Sequence, residues 1–382
     1  MNKGLKIAFF TESWHPNVDG VVVALTNLKQ RLEEKGHEIV VFAAGDVKSE
    51  KRNKKNSEYI FPSIEFIPYP TYKLAIFPYP DAEEIARKEK IDIIHSHGMG
   101  PMGLAALYVA KQLKKPLIGT LHTNIQEATH YIAPIKPMQK VAKSVAWRYL
   151  RWYYNQCDIV IVPTEYMKKE CEANGIKNVV AISNGVDLKK FKPGKKTMWL
   201  NRTVVLYAGR LVKEKNLDVV IKAANIVRKE VPNILFVIVG SGPMEEKYKQ
   251  EVRKHGLSDS FLFIQGARNK DMPEYYKNAD IFVFPSMFET QGLSGLEAMA
   301  CGLPVAGADY LAIPDLVKNG YNGYLFKPHD VKGCANAILK CINEKNRLGR
   351  NAREFAKTHA IEKTIKKHEE IYKKLHEENK IR

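Results

Sequence analysis

The chain has 382 residues, 45% of them hydrophobic and 27% charged, and its formal charge is +18. That length suits two globular domains with a sizeable core, and no run approaches the roughly 18 apolar residues of a membrane-spanning helix. The five cysteines form no Cys-x-x-Cys pair and no zinc-ligand spacing, which fits reduced thiols in a cytosolic protein. The excess of cations points to an acidic partner: nucleic acid, an anionic membrane surface or a phosphorylated substrate.

The N-terminus, MNKGLKIAFFTESWHP, has an apolar run too short for a signal peptide and is read as a first core strand, Leu5–Phe10. A helix-period segment, Val22–Lys35, and a strand, Ile39–Ala43, follow. The lysine run Lys48–Lys55 is either a solvated loop or an added attraction to anionic lipid. Next come a strand at Ile91–His95, a helix at Pro101–Leu113 and strands at Pro116–Leu121 and Ile159–Pro163. The pattern pauses at Asn184–Lys196, NGVDLKKFKPGKK, whose Gly, Pro and lysine content is that of a linker able to act as a hinge. Strands resume at Thr203–Ala208, Ile234–Gly240, Phe261–Gln265, Ile281–Pro285 and Pro304–Ala306. The Lys/Glu-rich tail after about Thr358 is helical in pattern and either packs back on the first domain or frays. Strand–helix alternation of this kind builds parallel sheets covered on both faces. The expected fold is α/β, with two doubly wound Rossmann-like domains facing a central cleft. Their expected bounds are 1–190 and 191–360, with a C-terminal helix at 361–382.

Ligands of such sheets gather at the carboxyl ends of the strands. Four of those ends carry unusual residues. After the first strand, Asp19-Gly20 precedes a helical run, where a helix N-terminus favours an anion and glycine lets backbone approach it; a plain turn is the alternative. After Leu117–Leu121 stands His122, able to donate or accept near a substrate, or simply satisfied by backbone. His95-Ser96-His97-Gly98 ends the preceding strand in the same way, without a third ligand placed by spacing, so it does not make a metal site. After Thr203–Ala208 comes Gly209-Arg210, with Lys213 and Lys215 close behind. Such a strand–helix turn suits a diphosphate, with Arg as a fork and Lys as a point charge. The spacing is not that of a P-loop.

The fourth end is PSMFETQGLSGLEAMACGLPVAGAD, Pro285–Asp309. Glu289 lies in its loop, Gly292 and Gly295 flank Ser294, and Leu296–Cys301 reads as helix. Ser294 and Glu297 stand at capping-box spacing, so Glu297 can be a mere cap. Backbone N–H groups from Gln291 to Gly295 offer donors for phosphate or sugar hydroxyls, with Glu289 beside them as an acceptor.

These signals, in this order, resemble the retaining, metal-independent glycosyltransferases of family 4, which have the GT-B fold. The segments that match are PNVDGVV, HSHGMGPMGLAAL, GTLHTN, ISNGVDLKKF, YAGRLVKEKN, VIVGSGP and ETQGLSGLEAMACGLPVAG, nearly the length of the chain. The last contains the Glu-x7-Glu motif of the family. Its TQG wording is most similar to the branch that glucosylates diacylglycerol-type lipids. Many other members have Pro-Phe-Gly or Thr-Phe-Gly there, so Gln291 departs from the wider pattern.

The resemblance implies roles. Arg210 and Lys215, at the Gly209 turn, would neutralise the donor diphosphate and the leaving nucleotide. Glu289 would contact hydroxyls of the transferred sugar, and Glu297 the ribose. Backbone at Gln291, Gly292, Leu293 and Ser294 would bind sugar hydroxyls or phosphate. Gly20 would approach the donor phosphate, His122 the anomeric centre, and Gly266-Ala267-Arg268 the nucleobase. The glutamates would then be binders and not an acid/base pair. A hydrolase would have no use for Arg210 and Lys215, whereas a nucleotide leaving group needs positioning and charge stabilisation above all. Front-face transfer with retention, aided by the leaving phosphate, is what the family implies. No metal and no other cofactor is expected.

The acceptor is read from Ile135–Asn155, IKPMQKVAKSVAWRYLRWYYN. Lys136, Lys140, Lys143, Arg148 and Arg151 interleave with Val141, Val145, Trp147, Tyr149, Trp152 and Tyr153. Such a segment is either an interfacial membrane helix or an ordinary helix packing its aromatics inward. Together with the charge and the TQG wording it leads to one expectation: an enzyme at the cytoplasmic face of the membrane that moves glucose from UDP-glucose to a lipid. The alternatives are a mannosyl- or other hexosyltransferase acting on a soluble sugar, sugar phosphate or glycan, and a sugar-nucleotide-binding protein without turnover. No nucleic-acid-binding motif is present, so nucleic acid is not an expected partner.

Overall fold

In a computed structural model the chain is described at residues 4–16, 19–45, 57–65, 73–76, 78–122 and 136–381, with backbone alone at 136 and 137. The Lys48–Lys55 run and Thr123-Asn124 of the GTLHTN segment lie outside the described residues. Two compact units divide the chain: Met1–Asn184 with Thr364–Arg382, and Gly185–Lys363.

Unit one runs β1 (Lys6–Thr11), α1 (Gly20–Glu34), β2 (Glu38–Gly45), β3 (Glu58–Glu65), β4 (Lys73–Ala75), α2 (Tyr79–Lys88), β5 (Ile93–Ser96), α3 (Pro101–Leu113), β6 (Leu117–Thr120), α4 (Lys136–Tyr154), β7 (Ile159–Val162), α5 (Glu165–Ala173) and β8 (Val179–Ala181). Its sheet has the order β4-β3-β2-β1-β5-β6-β7-β8. The pairs are parallel apart from antiparallel β3/β4. Central strands such as β1, KIAFFT, are buried on both faces, which is why they read as unbroken apolar runs. The N-terminus of α1 is set by Asp19, whose carboxylate accepts from Val22 N at 2.9 Å.

Unit two runs β9 (Thr203–Ala208), a 3-10 turn (Lys213–Lys215), α6 (Leu217–Glu230), β10 (Ile234–Val239), α7 (Glu245–Lys254), β11 (Phe261–Ile264), α8 (Met272–Lys277), β12 (Ile281–Phe284), α9 (Leu293–Ala300), β13 (Val305–Ala308), α10 (Ile313–Leu316), β14 (Gly323–Phe326), α11 (Val331–Asn343) and α12 (Lys345–Thr358). Its six strands are all parallel, in the order β11-β10-β9-β12-β13-β14. The last helix, α13 (Ile361–Ile381), belongs to unit one from Thr364 onward. There Thr364 Oγ1 donates to Ser183 O at 2.7 Å, and the Tyr372 hydroxyl lies 2.8 Å from His95 Nδ1.

Both units are doubly wound. Strand order reverses direction beside β1 in one, between β2 and β5, and beside β9 in the other, between β10 and β12. A switch point opens a crevice at the carboxyl ends of the strands. The chain segments after β1, β5, β9 and β12 are therefore where each unit can hold a ligand, and they carry Gly20, Arg210, Lys215, Glu289 and Glu297, while His122 follows β6 and Gly266-Ala267-Arg268 follow β11.

Candidate active site

In unit two the loops after β9 and β12 are joined by side chain and backbone. Lys215 Nζ is 2.5 Å from Glu289 Oε1, with both side chains 15% exposed. Lys215 Nζ also donates to Phe288 O at 3.4 Å. Met287 N donates to Glu214 O at 2.8 Å, and Asn216 Nδ2 to Pro285 O at 3.4 Å. A cation expected at a diphosphate and a carboxylate expected at a sugar thus form one ion pair. Arg210 is exposed, and its carbonyl accepts from the buried Tyr207 hydroxyl at 2.9 Å. The VGSGP loop after β10 closes against this turn backbone to backbone: a Cβ at Gly240 would lie 1.9 Å from Gly209 O. That contact explains the glycine at Gly240 without reference to a ligand.

The Glu-x7-Glu segment enters α9 through Gly292, at φ +88°. A Cβ there would lie 2.5 Å from the Phe284 ring, so both conformation and space require glycine. Gly292 is the N-cap of α9 and no side chain caps it. The capping-box alternative is therefore not formed. Ser294 lies inside the helix, and the helix begins at Leu293 and not at Leu296. The first N–H groups of α9, at Leu293, Ser294 and Gly295, have no partner within the helix. Gln291 is buried beside them.

Glu297 bonds to a residue of α8. Its Oε2 accepts from the Tyr276 hydroxyl at 2.9 Å. Burial pushes the Glu297 carboxyl up to about 7, against the opposing pull of the Tyr276 hydrogen bond and the Lys190 charge. Lys190 also reaches the loop after β11, donating to Asn269 Oδ1 at 2.9 Å. In that loop Gly266, at φ +65°, faces open space. Arg268 pairs with Asp271, Nε to Oδ2, at 2.9 Å. Sequence reasoning did not identify Tyr276 or Lys190. Nothing in the local pattern of MPEYYK or DLKKF connects them to a carboxylate far along the chain.

In unit one Gly20 is the first residue of α1, and a Cβ there would meet nothing within 4 Å. Ser13 Oγ donates to the capping carboxylate of Asp19 at 2.8 Å. His122, just past β6, has its Nε2 3.1 Å from Nδ1 of His97, just past β5. His95 bridges Thr120 Oγ1 at 2.7 Å and the Tyr372 hydroxyl at 2.8 Å. Burial holds His122 and His368 down at about 4 and His95 and His97 well below the ordinary range. These rings are therefore neutral at physiological pH. Among the described residues no three His, Cys, Asp or Glu side chains are grouped to hold a metal ion.

The helix α4 has two unlike faces. Trp147, Leu150, Tyr153 and Tyr154 are buried in the core of unit one. Met138, Val141, Val145, Tyr149 and Trp152 recur at helical spacing and are exposed, Val141 at 66% and Val145 at 62%. Lys140, Lys143, Arg148 and Arg151 are exposed beside them. Trp147 and Tyr153 pack inward, as in an ordinary helix, and among the described residues a second apolar stripe of α4 stays exposed. Among the described residues no helix is long and apolar enough to cross a membrane.

Residues 18–190 match the model of the family described as Glycosyltransferase Family 4, and residues 189–358 that of Glycosyl transferases group 1. An alpha-monoglucosyldiacylglycerol synthase of Streptococcus pneumoniae is 30% identical over 88% of this chain and 78% of its own. A GDP-mannose-dependent alpha-mannosyltransferase of Corynebacterium glutamicum is 27% identical over 90% of this chain and 82% of its own. The crystal structure of Anabaena Alr3699/HepE in complex with UDP superposes with a TM-score of 0.76 at 20% identity, covering 97% of this chain and 100% of that one.

Proposed function

The chain belongs to the GT-B glycosyltransferases of family 4, and from that premise we propose that it moves glucose from UDP-glucose to a membrane lipid, with retention at the anomeric carbon. The observation that carries the lipid half is the uncovered stripe of α4 with its exposed cations. Apolar side chains on one face and lysine and arginine alongside suit the headgroup region of an anionic bilayer. The relative from Streptococcus pneumoniae, named for a glucosyldiacylglycerol product, supports the same acceptor class.

For the donor, Arg210 and Lys215 offset the charge of the diphosphate and of the leaving nucleotide. Bound donor draws Lys215 partly from Glu289, which then accepts from hydroxyls of the transferred sugar. Glu297 accepts from the ribose, backbone at Gln291, Gly292, Leu293 and Ser294 donates to sugar or phosphate, and the Gly266-Ala267-Arg268 loop meets the base. Gly20 and His122 keep the roles the family pattern gives them, toward phosphate and sugar. The cationic side chains do this without a metal. The test is cosedimentation with vesicles of anionic phospholipid, combined with turnover of UDP-glucose in their presence and absence. The mannosyltransferase relative favours a second reading, a GDP-mannose donor with a soluble acceptor, which predicts turnover indifferent to vesicles.

A further inference from the structure

His97 has no task in the mechanism above, yet its position is closely determined. Phe9 meets it edge-on at 4.7 Å between ring centroids, and the His95 ring lies 3.9 Å away. Its Nδ1 faces His122 Nε2 at 3.1 Å, while its Nε2 is buried without a partner among the described residues. Both rings are neutral, so each carries one N–H and one bare lone pair.

Two arrangements satisfy that contact. If His122 donates, the proton of His97 must sit on Nε2, where it would be a buried N–H with no acceptor. If His97 donates, its Nε2 keeps only a bare lone pair against the core. An orphaned N–H is the rarer and costlier of the two. We propose that His97 is a positioning residue: its Nδ1–H donates to His122 Nε2 and thereby holds the His122 ring in the Nδ1–H tautomer. Nδ1 of His122 is then fixed as a donor and Nε2 as an acceptor before any substrate binds. The relevance of this to catalysis rests on the role given above to His122 beside the transferred sugar; the tautomer itself does not.

The test is the tautomer of His122, read from 15N chemical shifts of the two ring nitrogens in histidine-labelled full-length protein. His122→Phe identifies the signals. In the unsubstituted protein Nδ1 should be of the protonated type and Nε2 of the bare type. In His97→Phe, which keeps the ring but not the donor, the signals should move toward a mixture of tautomers. There kcat on UDP-glucose should fall by about tenfold, the worth of one ordinary hydrogen bond, with KM for the donor within about twofold. His97→Asn, whose amide nitrogen can stand where Nδ1 stands, should restore both signals. A protonated Nε2 on His122 in the unsubstituted protein overturns the proposal and needs no variant to detect. So does a tautomer that His97→Phe leaves unchanged. A tautomer that moves while kcat does not would support the positioning and overturn the role of His122 at the sugar.

Discussion

Tyr276→Phe removes one oxygen and leaves the ring in place against Phe191 and Phe282. The lost hydrogen bond, 2.9 Å to Glu297 Oε2, is one to a group that can carry charge, worth about 1.5–3 kcal/mol. At about 1.4 kcal/mol per pKa unit, its removal raises the Glu297 carboxyl by about 1–2 units. That carboxyl already sits at about 7, so about half of the molecules carry it ionised at neutral pH. A further rise of about 1.5 units leaves about 3% ionised. If the ionised form accepts from the ribose, affinity for UDP-glucose falls by about tenfold at pH 7. It recovers to within about twofold near pH 9, where most of the carboxyl is ionised again. Calorimetric titration of UDP-glucose between pH 6 and 9, without acceptor, measures this directly, because the diphosphate ester does not titrate in that range. Unchanged affinity at pH 7, or an equal loss at every pH, would refute the role of Glu297.

The other predictions concern different parts of the chain. Arg210→Ala and Lys215→Ala should each lower kcat by about 100-fold or more, while chelation of divalent metal with EDTA leaves turnover unchanged; steady-state rates report both. Val141→Glu with Val145→Glu changes only exposed positions of α4, so the melting temperature should hold. Binding to anionic vesicles should weaken by about 100-fold or more, from two valine burials of about 1.5 kcal/mol each. Acid should destabilise unit one through His368. Its folded value of about 4 lies below the ordinary 6.5, so the unfolded chain takes up a proton that the folded one refuses as pH falls from 6.5 to 4. The loss reaches about 3 kcal/mol and stops below pH 4, and His368→Gln should flatten the denaturation profile over that window.

The core strands were legible because parallel strands buried on both faces have to be continuous apolar runs. Thr203–Ala208 was read with its observed ends, and β1 and β7 within a residue. The strands that escaped are peripheral. β3, EYIFPSIE, buries only Phe61 and contains a proline, and β8 and β14 are three and four residues long. Their pairing comes from a neighbour and not from their own pattern. The start of α9 was misplaced because Ser294 looked like a cap, whereas the steric demand of Phe284 on Gly292 decides where the helix begins. The two ends of the Lys215–Glu289 pair were both named from composition at strand ends, but their direct contact depends on β9 and β12 being adjacent. Tyr276 was not named, and His97 was noted at its strand end without a role, because the meaning of each lies in a partner from another element.

The measurement that bears most directly on the proposed function is turnover of UDP-glucose by the full-length protein, with and without anionic vesicles containing diacylglycerol. UDP release that rises only with the lipid acceptor, with an α-linked glucolipid as product, is the predicted result. Turnover of a soluble sugar acceptor at the same rate with or without vesicles would contradict it.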